Sequence, residues 1–260
     1  MANAGHHHAQ SHRLPCSCDS FVRGRRRGAR YAPSRGPTTS YDSFLTSLQE
    51  ADRTVLLGLG HRRTWERAEL LLRAGDPADH AIILIGGFVK IHLSAADGSE
   101  VVLDLCGPGD LLGEVAKFSG AVRSANATAL QPVEGLTVDI RDLRAFVSGR
   151  PEGTSALLEM TLARLHAGNA RRVEFATAAS LARVASRLVE LTERFGAGGP
   201  TGKIDVALPI TQEELASWSA SSRESTARSL RTLRTLGLIQ THRRHLTVLD
   251  LDRLQAYAHP

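Results

Sequence analysis

The chain has 260 residues, 42% apolar and 23% charged, the balance of a globular protein with room for two domains. The longest apolar run, Ala81 to Val89, contains two glycines and falls far short of the ~20 residues a membrane helix needs, so no span is expected. Three cysteines make no disulfide framework, which points to a reducing cytoplasm.

The net charge of +5 invites a nucleic-acid reading, but its location matters more than its size. Residues 1–40 hold seven arginines against one acid, Asp19: a net of +6 that leaves −1 for the rest. Within 219–245, six arginines stand against Glu224 alone, a net of +5. The tail, 1–40, is rich in Gly, Ser, Pro, Arg and His, lacks apolar periodicity and reads as a disordered basic segment. It has no apolar signal core, so export is not expected. Its His6-His7-His8 and Cys16-Ser17-Cys18 are either metal ligands or solvated side chains. Its arginines from 23 to 30 either touch nucleic acid nonspecifically or belong to an extension without a role.

Tyr41 to Leu59 has the apolar spacing of a helix. From Glu69 to Ile140 short apolar runs alternate with Gly, Asp and Pro breaks. Strands are predicted at 69–73, 81–85, 88–93, 101–106, 124–130 and 135–140, the pattern of a sandwich or barrel. Asp97-Gly98 predicts a tight hairpin turn. From Arg141 the texture is helical. Pro151 suits a helix start, and Leu157, Leu158, Leu162, Leu165 and then Leu181, Val184, Leu188, Leu191 follow at helical spacing. Forty residues is long for one helix. We therefore expect a dimerising helix over 151–178, a break near 176–180, and a second helix opening the next domain.

Gly196 to Gly202 reads as a loop. Thr211 with Glu214 fits a capping box for a short helix ending near Trp218. Ala220-Ser221 turns the chain, and Ser222 caps a helix with Thr226, Leu230 and Leu233 inward. Gly237 ends it, and two short strands follow. This is a winged helix-turn-helix. Ser222, Arg223, Glu224, Ser225 and Arg228 occupy the first turns, which reach base edges. Arginine is bidentate to guanine, and a carboxylate accepts from cytosine N4. On a merely solvated helix the same charges would pair with their neighbours. Thr211, and Arg243 and Arg244 on the wing, complete the DNA-facing set.

Thr211 to Ile239, centred on Ser222-Arg223-Glu224-Ser225-Thr226-Ala227-Arg228, resembles the DNA-binding domain of the Crp/Fnr family of bacterial transcription regulators. Gly75-Asp76, Gly87, Gly109-Asp110-Leu111-Leu112-Gly113-Glu114 and Arg123-Ser124-Ala125 resemble that family's cyclic-nucleotide-binding fold. The resemblance covers about Phe44 to Leu249. It implies an α+β chain: a jelly-roll-like β-roll over 41–150, the dimerisation helix over 151–178, and a winged helix-turn-helix over 179–260. It also implies a homodimer reading double-stranded DNA at a palindrome with GTG-like half-sites, as in the catabolite-activator branch, with RNA polymerase as partner. The wing, His242 to His245, departs from the family in lacking a glycine.

A cyclic phosphate needs a cation and small donors, and a ribose hydroxyl needs an acceptor. Gly113, Glu114, Val115, Arg123, Ser124 and Ala125 supply these, with Glu114 for the ribose and Arg123 and Ser124 for the phosphate by resemblance. The alternative is a Glu114–Arg123 salt bridge in an empty pocket. Cyclic AMP is the leading ligand. Yet the dimer helix carries Gly168 and Asn169 where the family's cyclic-AMP binders use hydroxyls. Asn169 offers a purine edge both a donor and an acceptor, and Arg164 lies one turn earlier. A cluster-type redox sensor is disfavoured, because two of the three cysteines lie in the tail. Haem ligation by His80 or His92 and a cupin-like metal enzyme lack supporting ligands. No metal and no catalytic constellation are expected.

Overall fold

The structure is a computed structural model and describes residues 43–95, 98–114, 122–198, 203–207, 210–242 and 245–259. The basic tail, Asp97, Val115, Arg243 and Arg244 lie outside the described residues.

Eight strands build the β-roll: β1 (His61–Trp65), β2 (Leu70–Leu72), β3 (His80–Gly86), β4 (Val89–Ser94), β5 (Glu100–Cys106), β6 (Leu111–Leu112), β7 (Asn126–Ala129) and β8 (Val133–Asp139). They form two antiparallel sheets, ordered β1-β8-β3-β6 and β2-β7-β4-β5. Strand β3 shows why the roll needs near-continuous apolar runs. Successive side chains point to opposite faces, and both faces are covered. Ile82 and Leu84 fill the interior with Trp65, Val89 and Leu112. Ala81 and Ile83 pack outward against Phe44 and the helices α1 (Glu50–Leu59) and α2 (Ile140–Gly149).

Helix α3 (Pro151–Thr177) opens on Pro151, and only Gly153 and Ala156 are buried along it. Ala178 and Ala179 are extended and separate it from α4 (Ser180–Phe195), whose Val184, Leu188 and Leu191 enter the next core. Then come β9 (Gly196–Gly198), β10 (Ile204–Val206), α5 (Gln212–Trp218), α6 (Arg223–Thr235), β11 (Ile239–His242), β12 (His245–Val248) and α7 (Leu251–Ala258). The four short strands make one sheet, ordered β11-β12-β10-β9. The α+β class expected from the sequence is the one observed.

Several expectations need correction. Residues 44–48 form turns rather than helix. The Arg53 guanidinium donates to the Leu45 and Leu48 carbonyls at 2.9 and 3.0 Å, and these bonds hold the turn. The β4–β5 hairpin forms as expected: Ser94 pairs with Glu100, the Gly98 amide donates to the Ala95 carbonyl at 3.0 Å, and Gly98 takes φ 81°. Part of the expected loop, Gly196 to Gly198, is a strand paired with β10. Strands β1, β6 and β10 and helix α7 have no counterpart among the expected elements.

Candidate effector cavity and DNA interface

A cavity of about 500 Å³ opens between the roll, α3 and the first helix of the DNA-reading module. Gly113, Glu114, Arg123, Ser124 and Ala125 line it from the roll, and Arg164 and Gly168 from α3. Gly113 sits at φ 84°, which favours glycine, and a Cβ there would displace the Arg123 guanidinium.

Arg123 is 5% exposed. Its Nη2 donates to the His80 carbonyl at 2.7 Å, and its Nη1 to the Gly113 carbonyl at 3.3 Å. Its nearest counter-charge is the exposed Asp79, at 3.5 Å. Burial pulls the Arg123 pKa below its usual value, against the opposing pull of Asp79, Asp76 and Glu114. A buried cation held largely by neutral carbonyls is well suited to receive an anion.

Glu114, equally buried, is not paired with Arg123. Its Oε1 accepts from Arg164 Nη1 at 2.6 Å, and Arg164 Nη2 donates to the Leu111 carbonyl at 2.8 Å. Burial disfavours the Arg164 charge, but Glu114 and neighbouring acids more than offset it and raise its pKa. The long helix is thus tied to the Glu114 carboxylate. A carboxylate accepts about four hydrogen bonds, so capacity for a hydroxyl remains. Asn169 does not line this cavity. It lies exposed beside Arg172, on the same side of α3 as Leu158, Leu162 and Leu165.

The reading module is set by its caps. Thr211 Oγ1 accepts from the Glu214 amide at 3.1 Å, and Glu214 Oε2 accepts from the Thr211 amide at 2.7 Å, which closes the capping box of α5. Ala220 takes φ 47° in the turn, Ser222 Oγ accepts from the Ser225 amide at 3.1 Å, and Gly237 ends the second helix region at φ 70°. Thr226, Leu230 and Leu233 are buried. Arg223, Glu224 and Arg228 point outward with 69%, 83% and 69% of their side chains exposed. Arg223 pairs with Glu213, and Arg228 Nη2 meets Glu224 at 2.7 Å. Ser222 is exposed and Ser225 half-buried, so the five predicted base-facing residues share one end of α6. Thr211 is exposed but spends its hydroxyl on the cap.

Sequence reasoning missed the residues that join sensor to reader. Ser217, Trp218 and Ala220 of the reader also wall the cavity. Asp104 on β5 meets Arg194 at 2.9 Å and Arg171 at 3.3 Å, and these cations hold its carboxyl below the usual range despite burial. Lys90 on β4 reaches Glu214 at 2.9 Å. No local spacing announces such contacts, because each spans remote parts of the chain. His80 bonds Asp79, and His92 bonds Thr128. Among the described residues no three His, Cys, Asp or Glu side chains are grouped to hold a metal ion, and no helix is long and apolar enough to cross a membrane.

A β-roll with a polar-ended cavity, in one chain with a capped helix-turn-helix, is the layout of a transcription regulator. Residues 62–150 match the family model of the cyclic nucleotide-binding domain, and residues 182–257 that of the Crp-like helix-turn-helix domain. The CRP-like cAMP-activated global transcriptional regulator of Mycobacterium tuberculosis is 32% identical over 188 residues, covering 72% of this chain and 84% of its own. A CRP-family transcriptional regulator of Thermus thermophilus superposes with a TM-score of 0.63 at 26% identity, covering 75% of this chain and 96% of its own. FixK2 of Bradyrhizobium japonicum, at 20% identity and a TM-score of 0.69 over 76% of this chain and 96% of its own, shares the fold. The chain belongs to the Crp/Fnr family of transcription regulators, which bind DNA and are not enzymes.

Proposed function

We propose that this protein is a cytoplasmic homodimer that reads a palindrome with GTG-like half-sites and recruits or contacts RNA polymerase there, under control of cyclic AMP bound in the β-roll. Arg223 and Arg228 read guanines, and Glu224 a cytosine. Arg243 and Arg244, outside the described residues, approach phosphate. The observation that carries the effector reading is Arg123, a buried guanidinium at the cavity without a close, buried counter-ion. The M. tuberculosis relative, named as cAMP-activated, supports the same ligand. Val115 lies next to Glu114 and belongs to the proposed ligand set, though outside the described residues. Asn169 reaches a purine only across a dimer, from the exposed face of α3.

A second reading has its own support. Arg164 already engages Glu114, and Gly168 presents no hydroxyl at the cavity, which favours an empty pocket or a different effector. Calorimetry of the full chain with cyclic AMP and with cyclic GMP separates the two. We expect saturable heat with cyclic AMP and at least tenfold weaker binding by Arg123→Leu, the scale of one lost charge-assisted contact. No heat with either nucleotide removes the cyclic-nucleotide reading and leaves the DNA reader intact.

A further inference from the structure

Strand β5 is the outer strand of its sheet, and among the described residues one of its edges has no strand neighbour. The reader helix α5 occupies part of that edge. The Val102 amide donates to Ser217 Oγ at 2.9 Å, and Ser217 Oγ donates to the Glu100 carbonyl at 2.7 Å. Beside this clasp, Lys90 reaches across from β4, with only 10% of its side chain exposed. It pairs with Glu100 and with Glu214 Oε1, the latter at 2.9 Å. His92 flanks the group, its Nδ1 3.6 Å from Glu100 Oε1. Val102 and Leu105 of β5 pack into the same core as Leu215 and Trp218 of α5.

Glu214 therefore has two tasks. Oε2 closes the cap of α5, while Oε1 binds the sensor through Lys90. Val101 to Asp104 of β5 also wall the effector cavity, together with Ser217 and Trp218 of α5. Any shift of β5 about a bound ligand is felt at α5, and α6 packs on α5.

We propose that Lys90 is the positioning residue that couples the effector cavity to the DNA-reading helices, by fixing α5 on β4 and β5 through Glu214. This rests on the effector reading above and adds the element that transmits it. The latch orients the reader without masking it, since Arg223 and Arg228 stay exposed in the docked arrangement. An ion pair of low exposure suits such a task. Its geometry is restrictive, and removing one partner leaves the other under-compensated, so the arrangement switches rather than drifts.

The test uses the full chain and three variants: Lys90→Met, Lys90→Arg and Glu214→Gln. Glutamine preserves the capping box but loses the charge that Lys90 holds. Two quantities are read: amide exchange at Val102, and the factor by which cyclic AMP changes affinity for a selected DNA site. Lys90→Met and Glu214→Gln should speed Val102 exchange at least tenfold and cut the cyclic-AMP factor at least fivefold, with cyclic-AMP affinity itself within twofold of wild type. Lys90→Arg should keep both quantities within twofold. Unchanged exchange and unchanged coupling in Lys90→Met overturn the latch, as does equal damage by Lys90→Arg. If wild type gives no response to cyclic AMP, the effector reading fails separately. The latch is then decided by Val102 exchange alone, and an unchanged rate overturns it.

Discussion

Arg223 and Arg228 meet carboxylates in the free protein, yet both pairs are exposed, and such pairs contribute only about 0–1 kcal/mol. A bidentate contact to the right base is worth about 1–3 kcal/mol of discrimination, so DNA can take these arginines from their partners. Arg223→Ala should lose preference at one guanine per half-site by that amount in a randomised-site selection, and an unchanged preference would remove its base-reading role. His92 makes a different prediction. Burial pushes its pKa below the usual imidazole value, with the Lys90 charge adding to the shift and Glu100 and Glu214 opposing it. The neutral ring belongs to the folded state, and the unfolded chain binds the proton more readily. The stabilisation is thus present above about pH 6.5 and lost as pH falls through that value toward the folded pKa. The drop in Tm from pH 7.5 to 5.5 should be smaller in His92→Gln than in wild type, and equal drops would dismiss the effect. At this scale the caps were legible, because a capping box is local chemistry: Thr211, Glu214 and Ser222 sit as their spacing demands. Lys90 was not. A lysine in a strand reads as a solvent-facing position until a partner from elsewhere in the chain covers it.

Among the elements, α3 exposes a stripe of large apolar side chains. Leu158, Leu162 and Leu165 are each close to half exposed or more, and Val173 is 63% exposed. With Asn169 they recur at three- and four-residue intervals, the spacing that the proposed dimer would use as its seam. A polar residue on such a seam fixes register at a cost in stability. Burying each leucine is worth about 1.5–3 kcal/mol, so one acid in the stripe should break the pairing. Leu162→Asp is expected to sediment as a monomer and to bind a palindrome at least tenfold more weakly, while single half-site binding is retained. A dimer of Leu162→Asp at micromolar concentration would place the subunit contact elsewhere. Strand β1 shows the limit of pattern reading. His61, Arg62, Arg63 and Thr64 are all exposed, so no alternation marks them. Their pairing with Val133 to Thr137 on β8 makes the strand, and only Trp65 turns inward. The glycines of β9 were likewise unreadable, since Gly196 to Gly198 owe their extended form to β10.

For the whole molecule, the fold class follows from two textures in sequence, short punctuated strands and then spaced leucines, and both survive in the structure. How sensor and reader meet does not follow. Lys90 and Glu214 are 124 residues apart, and Asp104 and Arg194 are 90 apart. Neither residue of either pair carries a local signal of the other. The charge is similar: the +5 of the full chain describes neither the tail nor the reader, whose own +5 lies in 219–245.

The clasp on β5 bears on solubility as well as on signalling. A bare outer strand offers unpaired amides and carbonyls to any other extended chain, and Val101 and Leu103 on β5 are apolar and 46% and 37% exposed. Seating α5 there blunts a template for strand addition. Were the reader to leave β5, that edge would be open to strand addition, and Ser217, by occupying the Val102 amide and the Glu100 carbonyl, guards it in the docked arrangement.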